Sequence, residues 1–241
     1  MKTNLKLIVL LISVTFASCN ANLNLGDGID GSGNVITEKR SINTPFTKID
    51  ANTGVEVIVD QSATTEVEVE VDDNLMEHIV TRVENGTLIV KIDGNINTME
   101  RAIVRVSTKT IEGLESSSGA TIRSKSTLKG TNLTAKTSSG STINTDLEYE
   151  KVESESSSGS EITLSGKALI VKTNSSSGST INAQELAANE ITAESTSGSN
   201  TTVNPIVLLN AKASSGSSIV YVKDPKKVIK EESSGGSVSK N

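Results

Sequence analysis

The sequence predicts an all-β protein, a right-handed parallel β-helix (a solenoid) with coils of about 19 residues and a β-rich N-terminal cap. Two observations lead to this fold class. A turn of the type Ser-Ser-Gly recurs through the second half of the chain, and the first half alternates apolar and polar residues with a period of two. Repeats of this length are typical of stacked coils, and a period of two is typical of half-buried strands.

Residues 35–110 are predicted to form the N-terminal β part of a single domain that spans residues 35–238. The pair Asn85-Gly86 separates two alternating stretches, and Asn-Gly is a dipeptide that tight hairpin turns prefer. Residues 72–81 are expected to form one short helix or turn. Residues 46–110 are expected to cap or extend one end of the solenoid. The alternating apolar residues are Val55, Val57, Val59, Val67, Val69, Val71, Leu88, Val90, Ile92, Ile103, Val104 and Val106.

Residues 111–238 carry the repeats. The separations of the turn glycines are 21, 19, 19, 20, 18 and 19, a near-constant period that predicts stacked coils rather than a disordered serine tract. The third residue after most of these glycines is an isoleucine, and the fifth residue before them is usually small, so both positions are predicted to face the interior. The structural turn glycines are Gly119, Gly140, Gly159, Gly178, Gly198, Gly216 and Gly235.

The outward positions support parallel, in-register stacking. The fourth residue before each glycine alternates in charge or is neutral, and no two neighbours in this column share a charge. Like charges facing each other on adjacent strands are destabilising, so a charge-compatible order is expected if the coils stack in sequence. The column consists of Lys136, Glu155, Asn174, Glu194, Lys212 and Glu231, and a second column contains Glu153 followed by Lys172.

The Ser-Ser-Gly corner is expected to be crowded on its inner side, so that only small residues fit there. Glycine adopts a positive φ without a steric cost, and serine hydroxyls are able to hydrogen-bond to one another along the stack. A bulky residue at a corner, as in Gly159→Val, is therefore expected to unfold the repeat region cooperatively.

Residues 1–18 are predicted to be a lipoprotein signal peptide, with Lys2 and Lys6 before a short apolar stretch. Cys19 is the only cysteine, and its place at the end of the signal predicts lipidation rather than a disulfide. Residues 19–34 are polar and glycine-rich, which is typical of a flexible tether. The expected partner at this end is a membrane, which the lipid would contact.

The composition argues against several kinds of site. The formal net charge of -6 disfavours nucleic acid as a partner, because phosphate binding needs clustered Lys and Arg. His78 is the only histidine and lies far from any nucleophile motif, so neither a Ser-His-Asp triad nor a zinc site is expected. Residues 26–31 match Gly-x-Gly-x-x-Gly without a strand before them, which favours a tether over a nucleotide site. No catalytic residue, cofactor or metal is predicted; calcium at Asp27 and Asp30 is a minor alternative.

The densest acidic cluster is the one candidate ligand surface. It combines carboxylates with Tyr149, one of the few aromatic residues of the chain. Paired carboxylates serve glycosidases, but a solvated charged face is the favoured interpretation. The residues of this possible surface are Tyr149, Glu148, Glu150, Glu153 and Glu155, with Glu161 nearby.

Taken together, these features resemble the bacterial head GIN domain family, which is also described as autotransporter-adhesin-like and as a domain of unknown function. The resemblance covers nearly all of residues 31–238 and implies a β-helix-like domain exported to the envelope, commonly as a lipoprotein. It supplies no catalytic residues. The matching segments are 31–35 with Arg40, 46–49, 54–57, 73–75, 85–88, the Ser-Ser-Gly turns, and Tyr221 through Asp224-Pro225 to Gly235-Gly236.

The sequence thus predicts a non-enzymatic lipoprotein of the cell envelope, on the outer membrane with its face undetermined. Its expected role is that of an adhesin, or of a scaffold that displays polar ladders to an unknown protein or glycan. A periplasmic or surface module that binds polysaccharide or a small ligand is the alternative. A glycan-active enzyme is the least favoured hypothesis.

Overall fold

A computed structural model describes residues 28–241, and it is β-sheet almost throughout. The predicted signal peptide, Cys19, Asp27 and residues 19–27 of the predicted tether lie outside the described residues. The elements are β1 (Ile29–Asp30), β2 (Val35–Arg40), β3 (Lys48–Asn52), β4 (Glu56–Gln61), β5 (Glu66–Asp72), the 3-10 helix η1 (Asp73–His78), β6 (Ile79–Glu84), β7 (Thr87–Ile92), β8 (Ile96–Thr98), β9 (Ala102–Thr108), β10 (Gly113–Ser116), β11 (Thr121–Ser124), β12 (Leu128–Thr137), β13 (Thr142–Ser156), β14 (Glu161–Ser175), β15 (Thr180–Ser195), β16 (Asn200–Ala213), β17 (Ser218–Tyr221), β18 (Lys227–Glu232) and β19 (Ser237–Lys240).

The repeats form a parallel β-solenoid in which each coil lies on the one before. Strands β12 to β16 pair with their neighbours in parallel, and equivalent residues face each other, as in Leu133 opposite Val152 and Val152 opposite Val171. At the corners, the backbone N–H of a glycine donates to a serine carbonyl of the next coil at 3.0–3.2 Å. The glycines therefore stand in one file, and the prediction of a parallel β-helix is confirmed.

Each corner is a tight turn with two consecutive residues in the left-handed region. Ser158 has a φ of 53° and Gly159 a φ of 68°. The N–H of Ser160 donates back to the carbonyl of Ser157 at 3.3 Å, which closes a type I′ turn. A Cβ atom on Gly159 would meet no atom within 4 Å. Glycine therefore stands here for its positive φ, as expected, and a Cβ atom on it would face open space. The small residues of the inner side are the buried hydroxyl residues beside it, such as Ser156 and Ser160.

The interior follows the predicted columns. The isoleucines that follow the corners are buried, as are the small residues before them, such as Ala135 and Thr173. Ile103 is the exception in the N-terminal part, because it is only partly buried while Val104 and Val106 on the same strand face the core. The fully buried members of the isoleucine column are Ile122, Ile143, Ile162, Ile181 and Ile219.

Buried hydroxyls line the inside of each corner, and this part of the interior was not predicted in detail. The hydroxyl of Ser160 donates to Thr137 Oγ1 at 2.9 Å and lies 3.0 Å from Ser156 Oγ. These side chains occupy the positions three before and one after the glycine, outside the Ser-Ser pair itself. They satisfy one another where water is excluded, which removes most of the cost of burying a polar group.

Thr201, the one polar residue of the isoleucine column, belongs to such a hydroxyl cluster. Its Oγ1 lies 2.8 Å from Ser175 Oγ and 2.8 Å from Ser195 Oγ. Its departure from the repeat therefore has a local cause, because an isoleucine would leave these two hydroxyls with fewer partners.

The N-terminal part both extends and covers one end of the solenoid. Strands β3 and β4 stack in parallel on β10 and β11, and β7 and β9 stack in turn on β3 and β4. Thr53 and Gly54 repeat the corner conformation and continue the file of glycines. Beyond β9 the pairing changes to antiparallel, with β5 against β9 and β2 against β5. The hairpin at Asn85-Gly86 joins β6 to β7 as predicted, and η1 is the predicted short helix.

Residues 28–34 are part of the folded body, so the predicted tether does not extend that far. Strand β1 pairs with β8. The N–H of Gly33 donates to the buried carboxylate of Asp72 at 2.6 Å, and Ser32 Oγ donates to Asp73 at 2.5 Å. The glycine-rich composition suggested flexibility, but these residues bind a turn that lies far along the chain.

Candidate functional site

A polar groove runs along the solenoid beside the stacked corners. It has a volume of about 620 Å³ and crosses the coils from β10 to β16. Its walls are the outward charged column described above and the serine or threonine that opens each corner turn. The charged and amide residues of this groove are Glu115, Lys136, Glu155, Lys172, Asn174, Glu194 and Lys212, and the hydroxyl residues of its corner side are Ser138, Ser157, Ser176, Thr196 and Ser214.

The strand alternation sets the direction of these side chains. In β15, Ala193 and Ser195 are buried while Glu194 between them is exposed. Because the coils pair in parallel register, Asn174 lies opposite Glu194 and Glu194 opposite Lys212. Neighbouring strands are spaced about 4.8 Å apart, so the groove presents one polar side chain at each such step. The predicted outward column is therefore confirmed as a continuous ladder.

Ion pairs occupy part of the ladder. Lys136 Nζ lies 2.9 Å from Glu155 Oε2, and Lys172 Nζ lies 3.2 Å from Glu153 Oε1. The hydrogen bond with Glu155 raises the pKa of Lys136 above its ordinary value, aided by the nearby charges of Glu115 and Glu153. These pairs are exposed and contribute little to stability, but they hold the walls of the groove in a defined charge pattern.

Not every charged group of the groove is paired with another residue of the groove. Lys212 pairs with Glu231 on its other side at 3.7 Å, and Glu194 makes no ion pair within residues 28–241. Asn174 on the neighbouring strand and Thr196 at the corner flank this carboxylate. Glu194 and Glu115 are therefore the two carboxylates of the groove that have no ion-pair partner within residues 28–241.

Tyr149 lies buried at the base of the depression that Glu148 and Glu150 line, which corrects the expectation of an exposed aromatic residue. Its side chain is 4% exposed, and its hydroxyl donates to the carbonyl of Ile111 at 2.7 Å. The ring lies against Gly130, where a Cβ atom would come within 2.5 Å of Tyr149 Cε1. Tyr149 is thus a core residue with a satisfied hydroxyl, which the sequence pattern alone did not distinguish from a surface aromatic.

The burial of Tyr149 predicts a specific response to alkaline pH. Burial, aided by the charge of Glu112, raises the pKa of this phenol from 10.0 to about 12. The folded state favours the protonated phenol. The contribution of this phenol to the free energy of unfolding is therefore complete below pH 10.0 and is lost as the pH rises through about 12. We expect Tyr149→Phe to destabilise the protein by about 1–3 kcal/mol at neutral pH, because the Ile111 carbonyl loses its donor.

Urea unfolding of both proteins at neutral pH and at several values above pH 10.0 measures this effect. The difference in the free energy of unfolding between the wild type and Tyr149→Phe should become smaller across that alkaline range. A difference that stays constant would show that the buried phenol does not control the alkaline stability.

The acidic cluster of the sequence is divided between two surfaces. Glu153 and Glu155 carry the ion pairs of the groove wall, whereas Glu148 and Glu150 line a separate depression with Leu169. A hydrogen bond from Lys129 lowers the pKa of Glu148, and the two groups lie 3.0 Å apart. The five residues of the possible ligand surface therefore do not form one constellation, and Glu161 is exposed on another part of β14.

The other candidate chemistry is dispersed. His78 Nδ1 lies 2.9 Å from the Asp93 carbonyl, in a partly buried position at the end of η1. Asp30 accepts a hydrogen bond from Thr98 at 3.0 Å. Residues 28–241 contain no group of three or more His, Cys, Asp or Glu arranged to hold a metal ion. In the same part of the chain, no helix is long and apolar enough to cross a membrane.

The solenoid and its lengthwise groove define a class of protein: a β-repeat protein that offers an extended surface along its coils. Within that class, the chain belongs to the family described as "Putative auto-transporter adhesin, head GIN domain", whose model matches residues 45–225. The resemblance noted in the sequence is thereby confirmed. A comparison with curated proteins finds no significant match.

Solved structures share the fold. A "putative adhesin" from Bacteroides fragilis aligns with a TM-score of 0.80 at 24% identity, covering 88% of this chain and 99% of that chain. A "putative adhesin" from Parabacteroides merdae aligns with a TM-score of 0.71 at 21% identity, covering 90% and 100%. A "putative lipid binding protein" from Parabacteroides distasonis aligns with a TM-score of 0.73 at 18% identity, covering 89% and 100%.

Proposed function

We propose that this protein is a non-enzymatic adhesin or scaffold module of the cell envelope that holds an extended partner in its polar groove. The observation that carries the proposal is the groove itself, which presents a ladder of charged, amide and hydroxyl groups across successive coils. Many weak polar contacts along such a ladder add up only for a partner that is itself extended. The family description and the adhesin names of the structural neighbours support this role.

The anchoring of the module is part of the same proposal. Residues 1–18 act as the export signal, and Cys19 carries the lipid that holds the protein at the outer membrane. Residues 20–27 then link the lipid to the folded body, which begins with β1. The groove lies on the solenoid between this attachment and the far end, where it is accessible to a macromolecule in the surrounding space.

A polysaccharide or small-ligand binding module is the second candidate. The observation that favours it is the unpaired carboxylate of Glu194 beside Asn174 and Thr196, because carboxylates, amides and hydroxyls all hydrogen-bond to sugar hydroxyls. A glycan-active enzyme remains the least favoured hypothesis. The carboxylates Glu153 and Glu155 are each paired with a lysine, and the groove brings no acid and base together around one reacting bond.

Binding to arrays of envelope glycans and of extracellular proteins tests the proposal, with a matched pair of variants. Glu194 and Glu190 are both exposed glutamates on β15, but only Glu194 lines the groove. Glu194→Gln should weaken binding about tenfold or more, because a hydrogen bond to a charged group contributes about 1.5–3 kcal/mol. Glu190→Gln should leave binding unchanged.

Signal on the protein array supports the adhesin or scaffold role, and signal confined to the glycan array supports the second candidate. A ligand that binds both variants as tightly as it binds the wild type would place the site elsewhere. Turnover of any glycan would contradict the non-enzymatic assignment.

A further inference from the structure

The C-terminal end of the solenoid leaves strand edges without a neighbour. Strand β18 pairs with β16, and β19 pairs with β17. Within residues 28–241 neither strand has a partner on its outer side, whereas the opposite end of the solenoid is covered by the antiparallel strands β5 and β2. An open edge presents backbone donors and acceptors to any other strand, and proteins usually block such edges.

The edge of β19 is blocked by side chains of the last coil. The N–H of Val238 donates to Glu232 Oε1 at 2.5 Å, and its carbonyl accepts a hydrogen bond from Lys230 Nζ at 3.0 Å. Lys230 also lies 4.9 Å from the centre of the Tyr221 ring. Lys230 and Glu232 stand where earlier coils carry small interior residues such as Ala211 and Ala213. These two charged side chains therefore cover the end of the interior, and they hydrogen-bond to the N–H and carbonyl groups of Val238 on β19.

The edge of β18 stays open. The N–H of Ser233 donates to the Ala213 carbonyl at 3.1 Å, so this residue directs its backbone toward the preceding coil. Successive residues of a strand alternate in this direction. The backbone groups of Val228, Lys230 and Glu232 therefore face outward. The outward direction of Val238 on β19 follows the same alternation, because Ser237 N–H points back to the Ser217 carbonyl at 3.0 Å.

The sequence of β18, Lys-Val-Ile-Lys-Glu-Glu, is complementary to itself in an antiparallel arrangement. If two copies pair about Ile229, then Lys227 lies opposite Glu231 of the second copy, and Glu231 lies opposite Lys227. The residue pair Val228 and Lys230 then exchanges the backbone hydrogen bonds, which matches the groups that face outward. Ile229 is 40% exposed and would contact its own equivalent across the two-fold axis.

We propose that β18 is a docking edge for a second copy of this chain, which forms an end-to-end, two-fold symmetric dimer. Opposite charges facing each other across antiparallel strands stabilise this register. A shift of the register by two residues in one direction places Lys230 opposite its own equivalent and Ile229 opposite Glu231. A shift in the other direction places Ile229 opposite Lys227. Lysines at a sheet edge usually oppose pairing with another chain, but here Lys227 and Glu231 flank Ile229 and together specify one partner.

The dimer places the two N-terminal caps at opposite ends of a rod. Ile29 joins the body at β8, on the covered end of the solenoid, so the first described residues of the two copies lie at opposite ends of the rod. Two anchored copies would then meet tip to tip from facing surfaces, a consequence that rests on the proposed adhesive function. One strand pair buries less area than a standard interface, so each contact is weak and many copies act together.

Charge exchange at β18 tests the proposal by sedimentation equilibrium on residues 28–241, which contain every described strand. Lys227→Glu and Glu231→Lys each turn both cross-strand pairs into like charges, and each variant alone should self-associate at least about tenfold more weakly than the wild type. An equimolar mixture restores both pairs between unlike copies, so it should recover the wild-type association. This recovery also controls for the loss of the Lys212 pair with Glu231, which is 3.7 Å long in one chain.

Three results would overturn the proposal: a wild type that stays monomeric up to about 1 mM, variants that associate as the wild type does, or a mixture that recovers nothing. The groove variant Glu194→Gln should dimerise normally. A wild type that dimerises but binds nothing on the glycan and protein arrays counts against the groove alone, and a monomeric wild type that binds an array ligand counts against the end-to-end pairing alone.

Discussion

Gly166→Ala is expected to destabilise the protein by about 3–5 kcal/mol, which is a large share of the stability of one domain. Gly166 has a φ of 105°, outside the left-handed region that serine and asparagine tolerate. A Cβ atom at this position would lie 2.0 Å from the backbone carbonyl oxygen of Leu147 on the preceding coil. Because that atom belongs to a paired strand, two coils would have to move apart.

The matched control is Gly159→Ala at a corner. Gly159 has a φ of 68°, and a Cβ atom there would face open space, so only the left-handed conformation costs free energy, about 1–2 kcal/mol. Chemical denaturation of both variants measures the difference. Equal losses of stability for Gly166→Ala and Gly159→Ala would mean that the coils at Gly166 move apart without a cost in free energy. The bulky variant Gly159→Val should likewise cost less than Gly166→Ala, in contrast to the expectation from the sequence.

Gly166 also shows why the pairing register of the strands must be known before the packing of the interior is predictable. Thr145 and Leu147 on β13 lie opposite Leu164 and Gly166 on β14. The large and small residues exchange places between these coils, so the interior volume is kept while each column changes its members. A search for identical residues at a fixed distance from the corner glycine does not see this exchange, because each coil taken alone departs from the repeat.

The corners and outward columns were predictable because they depend on spacing alone. A glycine every 19 residues or so and charges at one fixed offset require no knowledge of the third dimension. Tyr149, Lys230 and Glu232 were not predictable in this way. Tyr149 depends on Ile111, 38 residues away, and Lys230 and Glu232 depend on Val238 across the last corner, so each role requires the folded coil.

The groove was predictable only in part. Its charged column was recognised in the sequence, but as a check on stacking rather than as a site. The local density of glutamates around Tyr149 indicated a ligand surface instead, but the strand direction divides these glutamates between two surfaces. In a solenoid, residues about 19 positions apart share a surface, so columns and not clusters indicate a binding face.

Ile162→Ala is expected to cost about 2–5 kcal/mol and to lower the stability of the solenoid as a cooperative unit. The Ile162 side chain is fully buried, and it lies between Ile143 and Ile181 of the neighbouring coils. Removing it leaves a cavity that two rigid, hydrogen-bonded coils cannot close, because the backbone spacing between strands is set near 4.8 Å.

The control for this substitution lies on the same strand. Leu169→Ala on β14 removes an aliphatic side chain that is 52% exposed, and it should change stability by no more than about 0.5 kcal/mol. Urea unfolding followed by circular dichroism, together with hydrogen exchange at the first and last coils, distinguishes two outcomes. A uniform loss of protection at both ends shows that the coils unfold together, since each coil depends on its neighbours for most of its burial. A loss confined to the coils around Ile162 would show instead that the stack is a chain of nearly independent units, and the interface between coils would then be weaker than its continuous isoleucine column indicates.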